Sequence, residues 1–141
     1  MDNLHKLENI PNNLNPIIWG GCFWTTIYNI ALGYPTSPTE EDKINYIAFF
    51  TNIKNIIPCN ECRNHYNNIF AKEPITNKDL CSRKTLILWI IKIHNSINSI
   101  INKKTLTVTE IENKYIKPHI ANTSKKICCF SASKSKKILN K

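Results

Sequence analysis

Residues 89–98 read Trp-Ile-Ile-Lys-Ile-His-Asn-Ser-Ile-Asn. Trp89, Ile90, Ile93 and Ile97 recur at three- and four-residue steps, the stripe of a core-facing helix. The same run carries His94, Asn95 and Asn98. His94 and Asn98 are four apart and Asn95 and Asn98 three apart, so a helix gathers all three on one face. Polar side chains on so apolar a helix need partners once buried. A flat, polar heterocycle held between facing helices would satisfy them.

About thirty residues upstream stands Cys59-Asn60-Glu61-Cys62, preceded by Pro58. A lone CxxC signals only redox chemistry or metal binding. Pro58 ends one helix and the cysteines open the next, where unpaired amides and the helix dipole favour a thiolate. The two-residue spacing suits both a tight disulfide and thiol–disulfide exchange. Together the two stretches suggest a dithiol held against a flavin.

The remaining pattern is all-α. Ile18, Trp19, Phe23, Ile27, Ile30 and Ala31 predict a first helix from Pro16 to near Gly33. Ser37 reads as an N-cap, with Pro38 at the first helical position and Glu40 closing a capping box. The second helix carries Ile44, Ile47, Phe50, Ile53 and Ile57 and stops at Pro58. The third begins at the CxxC and runs to about Lys72, and a long fourth spans about Asp79 to Asn102. A short fifth starts at Thr107, boxed by Glu110, and ends before Pro118. Short connections between four main helices predict an up-down bundle with the short helix packed across it.

The 141 residues suffice for one core without staples. Of the net charge of +9, seven lysines between Lys117 and Lys141 account for +7 and leave +2 for residues 1–116. Basicity therefore belongs to a Lys/Ser-rich end, read as a solvated, flexible tail. The expected organisation is an N-terminal extension over 1–15, a helical domain over 16–117 and a basic flexible tail over 118–141. No apolar run reaches the eighteen or so residues of a membrane span, and the N-terminus lacks the apolar core of a secretory signal. A cytoplasmic location is expected.

Zinc would require a second ligand pair. The other cysteines, Cys22, Cys81, Cys128 and Cys129, form no second CxxC, and no metal site is expected. A thioredoxin-like site would require a strand before the CxxC. A zinc-stabilised helical binding module whose basic tail meets nucleic acid stays open as the alternative function.

The set Trp19-Gly20-x-x-x-Trp24, Tyr34-Pro35, Pro58-Cys59-x-x-Cys62 and Trp89-x-x-x-x-His94-Asn95-x-x-Asn98 with Lys103 resembles the Erv/ALR flavin-linked sulfhydryl oxidases over residues 16–116. It is most similar to the short forms of large cytoplasmic DNA viruses. The resemblance implies FAD bound within the bundle, disulfide formation in thiol-containing protein substrates, and transfer of electrons to molecular oxygen, giving hydrogen peroxide. It implies a homodimer, no nucleic acid and a place in the host cytoplasm or virion.

By the same resemblance Cys59 is the interchange thiol and Cys62 the thiol against the flavin. Gly20 and Trp24 lie at the cofactor on the first helix. His65 faces it, and His94, Asn95, Ile97 and Asn98 grip it. Lys103 sits near the phosphates and Tyr115 over the adenine. Tyr28 stands where the family generally has His, and Gly21 where it has Arg; a Tyr can still stack and donate a hydrogen bond. Cys128 and Cys129 are a possible shuttle pair. Cys22 and Cys81 are expected to be free thiols.

Overall fold

A computed structural model describes residues 3–121. After a 3-10 turn at Asn3–Asn9 come α1 (Pro16–Leu32), α2 (Glu40–Ile56), α3 (Asn60–Lys72) and α4 (Arg83–Ile100). A helical segment closes the described chain as α5 (Val108–Ile111), a π turn (Glu112–Ile116) and α6 (Lys117–Ala121). There is no strand among the described residues, so the fold is the expected all-α bundle of four main helices plus a short one. The possible shuttle cysteines, Cys128 and Cys129, lie outside the described residues.

α1 to α5 each start where a side chain can accept the first free amides. Asn15 Oδ1 accepts from Ile17 N at 3.0 Å, with Pro16 at the first position of α1. For α2 the cap is Thr39 rather than the expected Ser37, and the partner is Asp42 rather than Glu40. Moving the cap two residues on places Glu40, Glu41 and Asp42 together in the first turn, against the positive end of the dipole. The α4 cap is Ser82, boxed with Thr85, not a start near Asp79. The Asp79 carboxylate is already engaged by Thr76 N at 2.8 Å and Thr76 Oγ1 at 2.7 Å, closing a separate turn. Thr107 and Glu110 form the expected box, but the helical path then continues through Pro118 to Ala121. Lys117 N–H reaches back to Glu112 O in a widened turn. Pro118, having no N–H to donate, falls in the first turn of α6, where it is tolerated.

α4 packs against both α1 and α3, α2 against α3, and the π turn against α1. Ile27, Tyr28 and Ala31 of α1, Phe50 and Ile53 of α2, Tyr66 and Ile69 of α3, and Leu86, Trp89, Ile90 and Ile93 of α4 form the core. Phenolic hydroxyls tie its layers. Tyr46 OH donates to Ile30 O at 3.0 Å, Tyr66 OH to Phe50 O at 2.8 Å and Tyr34 OH to Leu80 O at 2.9 Å. Ile18 and Ile44, expected on inner stripes, are instead 80% and 64% exposed.

α4 ends in a Schellman motif. Asn102 takes the left-handed conformation (φ 54), its N–H bonding Ser99 O at 3.3 Å while Lys103 N–H bonds Asn98 O at 2.7 Å. The chain turns back along α4, held by Asn95. Asn95 Nδ2 donates to Leu106 O at 2.9 Å, and Asn95 Oδ1 accepts from Leu106 N at 2.8 Å. Asn95→Ala leaves both Leu106 backbone groups without these partners, a loss of about 1–3 kcal/mol. Thermal unfolding of the cofactor-free protein is expected to drop by several degrees; an unchanged melting temperature would show that the clamp carries no weight.

Candidate active site

Cys59 is the N-cap of α3, and its Sγ accepts the Cys62 N–H at 3.2 Å. The two sulfurs are joined as a disulfide, with Cα atoms 5.2 Å apart. The α3 terminus therefore holds the Cys59 sulfur against the Cys62 amide and near the positive end of the dipole, the setting that favours a thiolate once the bond opens. The partners are not equivalent. Cys62 lines a cavity of about 670 Å³ between the helices, whereas Cys59 does not and is only 5% exposed.

That volume lies in the range of small-molecule and cofactor sites. Apolar and aromatic side chains form much of its wall, among them Trp24, Phe50, Trp89, Ile93 and Ile97. Polar groups enter at His65, His94, Asn98, Lys103, Lys104 and Lys114. α1 contributes bare backbone at Gly20 and Gly21, where an added Cβ would meet nothing within 4 Å.

His94 is 5% exposed and lies flat on Trp24, ring centroids 3.8 Å apart and planes 10° apart. Its Nδ1 is 3.3 Å from Tyr28 OH. Burial, then the nearby Lys114 and Lys103 ammoniums, pushes the imidazole down to about 4. The ring is thus neutral at physiological pH and offers one nitrogen as donor and one as acceptor. Burial, then Tyr115, raises the Tyr28 phenol above its ordinary value, so it too is neutral. Tyr28 and Tyr115 stack at 4.3 Å and 19°.

Of the residues singled out in the sequence, Gly20, Trp24, Cys62, His65, His94, Ile97, Asn98, Lys103 and Tyr115 all line this one cavity. Tyr28 and Asn95 do not. Tyr28 is fully buried behind His94, and Asn95 is turned to Leu106. A step of one residue rotates about 100° around a helix, so His94 and Asn95 cannot point into the same space. Lys104 and Lys114 line the cavity without having been singled out. Their adjacency to Lys103 and to Tyr115 was the available signal.

Three lysines from the turn after α4 and from the π turn suit a diphosphate, and flat rings with a neutral imidazole suit a heterocycle. The donor set fits FAD. Zinc finds no comparable support: among the described residues no group of three His, Cys, Asp or Glu side chains is placed to hold a metal ion. Cys22 and Cys81 are free, as expected, and both are exposed.

The His94 shift sets a pH dependence. An unfolded imidazole takes up its proton near pH 6.5 and the folded one only near 4, so between these values the unfolded chain binds more protons. The contribution is fully present above pH 6.5 and is lost as pH falls towards 4. Denaturant midpoints of the cofactor-free protein should decline over that window, and His94→Gln should flatten the slope there. An equally steep slope in the variant would assign the titration elsewhere.

Comparison with known proteins agrees with this architecture. A model of the Erv1 / Alr family matches residues 22–116. A protein of Acanthamoeba polyphaga mimivirus named a probable FAD-linked sulfhydryl oxidase is 43% identical over 97 residues, 69% of this chain and 68% of its own length. The FAD-linked sulfhydryl oxidase of African swine fever virus (isolate Tick/Malawi/Lil 20-1/1983) is 30% identical over 97 residues, 69% of this chain and 79% of its own. The crystal structure of the yeast Erv1 core shares the fold, with a TM-score of 0.67 at 22% identity, covering 82% of this chain and 95% of that one. The matched segment contains the disulfide, the stacked Trp24–His94 pair and the Lys103 turn, and through it the chain belongs to the Erv1 / Alr family.

Proposed function

We propose that this chain is an FAD-linked sulfhydryl oxidase in which Cys59 exchanges with substrate and Cys62 faces the cofactor. The observation that carries this is the asymmetry of the disulfide: one sulfur belongs to a residue of the cavity wall, the other to a residue outside it. Trp24, His94 and Tyr115 would hold the rings of FAD, Asn98 would offer its carboxamide, and Lys103, Lys104 and Lys114 would neutralise the diphosphate. FAD supplies two-electron chemistry there, taking electrons from the dithiol and passing them to oxygen, so that two thiols and O2 become one disulfide and H2O2.

The protein's own steps are exchange reactions. A substrate thiolate attacks Cys59 Sγ, the Cys59–Cys62 bond breaks, and Cys62 leaves as a thiolate stabilised by the α3 terminus. A second substrate thiolate attacks the substrate sulfur of that mixed disulfide and displaces Cys59 as thiolate. Cys59 Sγ then stands where the Cys62 N–H can donate to it.

No helix among the described residues is long and apolar enough to cross a membrane. The viral relatives support a place in host cytoplasm or virion. Exposed Ile17, Ile18, Ile44 and Ile56 support a second copy covering them as a homodimer. The domain reading becomes a catalytic bundle over 16–117 with a basic segment after it, in which Cys128 and Cys129 would relay electrons.

Cys59→Ser and Cys62→Ser should each abolish thiol oxidation while the flavin absorbance of the purified protein persists. Turnover by either variant would overturn the assignment. Gly20 separates fold from site. Glycine inside a helix costs about 1 kcal/mol relative to a good helix former, and nothing presses on this one. Gly20→Leu should therefore raise the melting temperature of the cofactor-free protein while lowering FAD occupancy. Unchanged occupancy would remove α1 from the cofactor site.

A further inference from the structure

The residues on either side of Cys59 are both tied to the N-terminal segment. Leu14 N–H donates to Pro58 O at 2.7 Å. Asn13 Oδ1 accepts from Asn60 N–H at 2.8 Å. The segment is pinned at its other end, where Trp19 Nε1–H donates to Leu14 O at 3.3 Å and Asn15 caps α1. Cys59 beneath it is 5% exposed. Exchange needs a sulfur to approach Cys59 Sγ in line with the bond to Cys62, and a residue so enclosed gives a protein-borne thiol no path.

Upstream of Asn13, Leu7 and Ile10 are 56% and 50% exposed, so neither is buried in the core. What the segment leaves behind is specific: an outward carbonyl at Pro58 and an outward amide at Asn60, two residues apart, on either side of the reacting cysteine. This is the hydrogen-bonding edge to which an extended peptide adds.

We propose that Asn13 and Leu14 form a strap occupying the docking edge for an extended, thiol-bearing peptide, and that Pro58 O and Asn60 N–H bind the substrate backbone once the strap lifts. The proposal rests on Cys59 being the exchange residue. The strap is a placeholder for substrate, so opening it is a cost shared by every protein dithiol. Peptides able to pair with the edge recover part of that cost, and small thiols recover none.

The test uses the full-length, FAD-loaded protein under anaerobic conditions. Two-electron reduction of the protein through Cys59–Cys62 is followed as loss of the oxidised flavin absorbance together with alkylation and mass counting, with two reductants, an unstructured CxxC peptide and glutathione. Asn13→Ala combined with Leu14→Pro removes both contacts, since proline has no N–H. Both reduction rates should rise on the order of tenfold, because the open state no longer competes with two hydrogen bonds. Asn13→Ala alone, which leaves every backbone group in place, should move them in the same direction by a smaller factor. Methylating the peptide's backbone nitrogens beside its cysteines should slow its reduction of the protein relative to the unmethylated peptide. Unchanged rates in a variant with wild-type circular dichroism overturn the strap alone. Absence of reduction in wild type and variants alike overturns the exchange role of Cys59, and the strap with it.

Discussion

Placing an imidazole in the contact between α4 and α1 is the constraint on which the rest of the arrangement depends. His94 is buried on a helix whose neighbouring inward positions are Trp89, Ile90 and Ile93, so it must be neutral and must find partners locally. Trp24 supplies a parallel face and Tyr28 a hydroxyl, both from α1. Those two contacts set the rotation of α1 against α4. With that rotation, Gly20 and Gly21, one turn before Trp24, come to the cavity as backbone. Tyr115 stacks on Tyr28 and brings the π turn, with Lys114, to the same wall.

The electrostatics follow from this placement. Residues 1–116 carry little net charge, yet Lys103, Lys104 and Lys114 meet at one cavity. Of these, Lys104 is paired with Glu110 at 2.8 Å, a carboxylate held down to about 2 by Lys104 first and then by the Thr107 cap. Burial depresses His94 most, and Lys114 and then Lys103 add to it. The field around the imidazole is thus positive before any ligand arrives, which suits an anionic group and disfavours a protonated ring.

The disulfide obeys a separate local rule. A helix beginning directly after a proline-ended helix must find acceptors for its first amides, and here a sulfur serves as the cap. The same geometry that starts α3 therefore also lowers the cost of a thiolate there. Redox chemistry and helix initiation use one set of amides, and the position of Pro58 decides both.

Helical periodicity, capping residues and the CxxC were legible in the sequence because they are local: 3.6-residue repeats, Asn15–Pro16 and Thr107–Glu110 act within a few residues of themselves. The ordered set from Trp19 to Lys103 carried the family and the cofactor for the same reason, as spacing along one chain. Competing local signals misplaced some boundaries. Ser37 and Thr39 are both competent caps, and Asp79 could cap a helix or close a turn; which acid sits at which end was settled by the dipole and by the Tyr34 hydrogen bond to Leu80. Only the tertiary structure separated His94 and Asn98 from Asn95, which local spacing had grouped. That separation depends on where the chain returns after Asn102, beyond the reach of helical spacing, since the backbone of Leu106 needed a partner and Asn95 was beside it. The tertiary structure likewise placed Tyr28 behind the site rather than in it, and laid Asn13 and Leu14 beside Cys59. Contacts between residues 44 to 66 positions apart leave no periodic trace in a sequence; they exist only once the helices have packed.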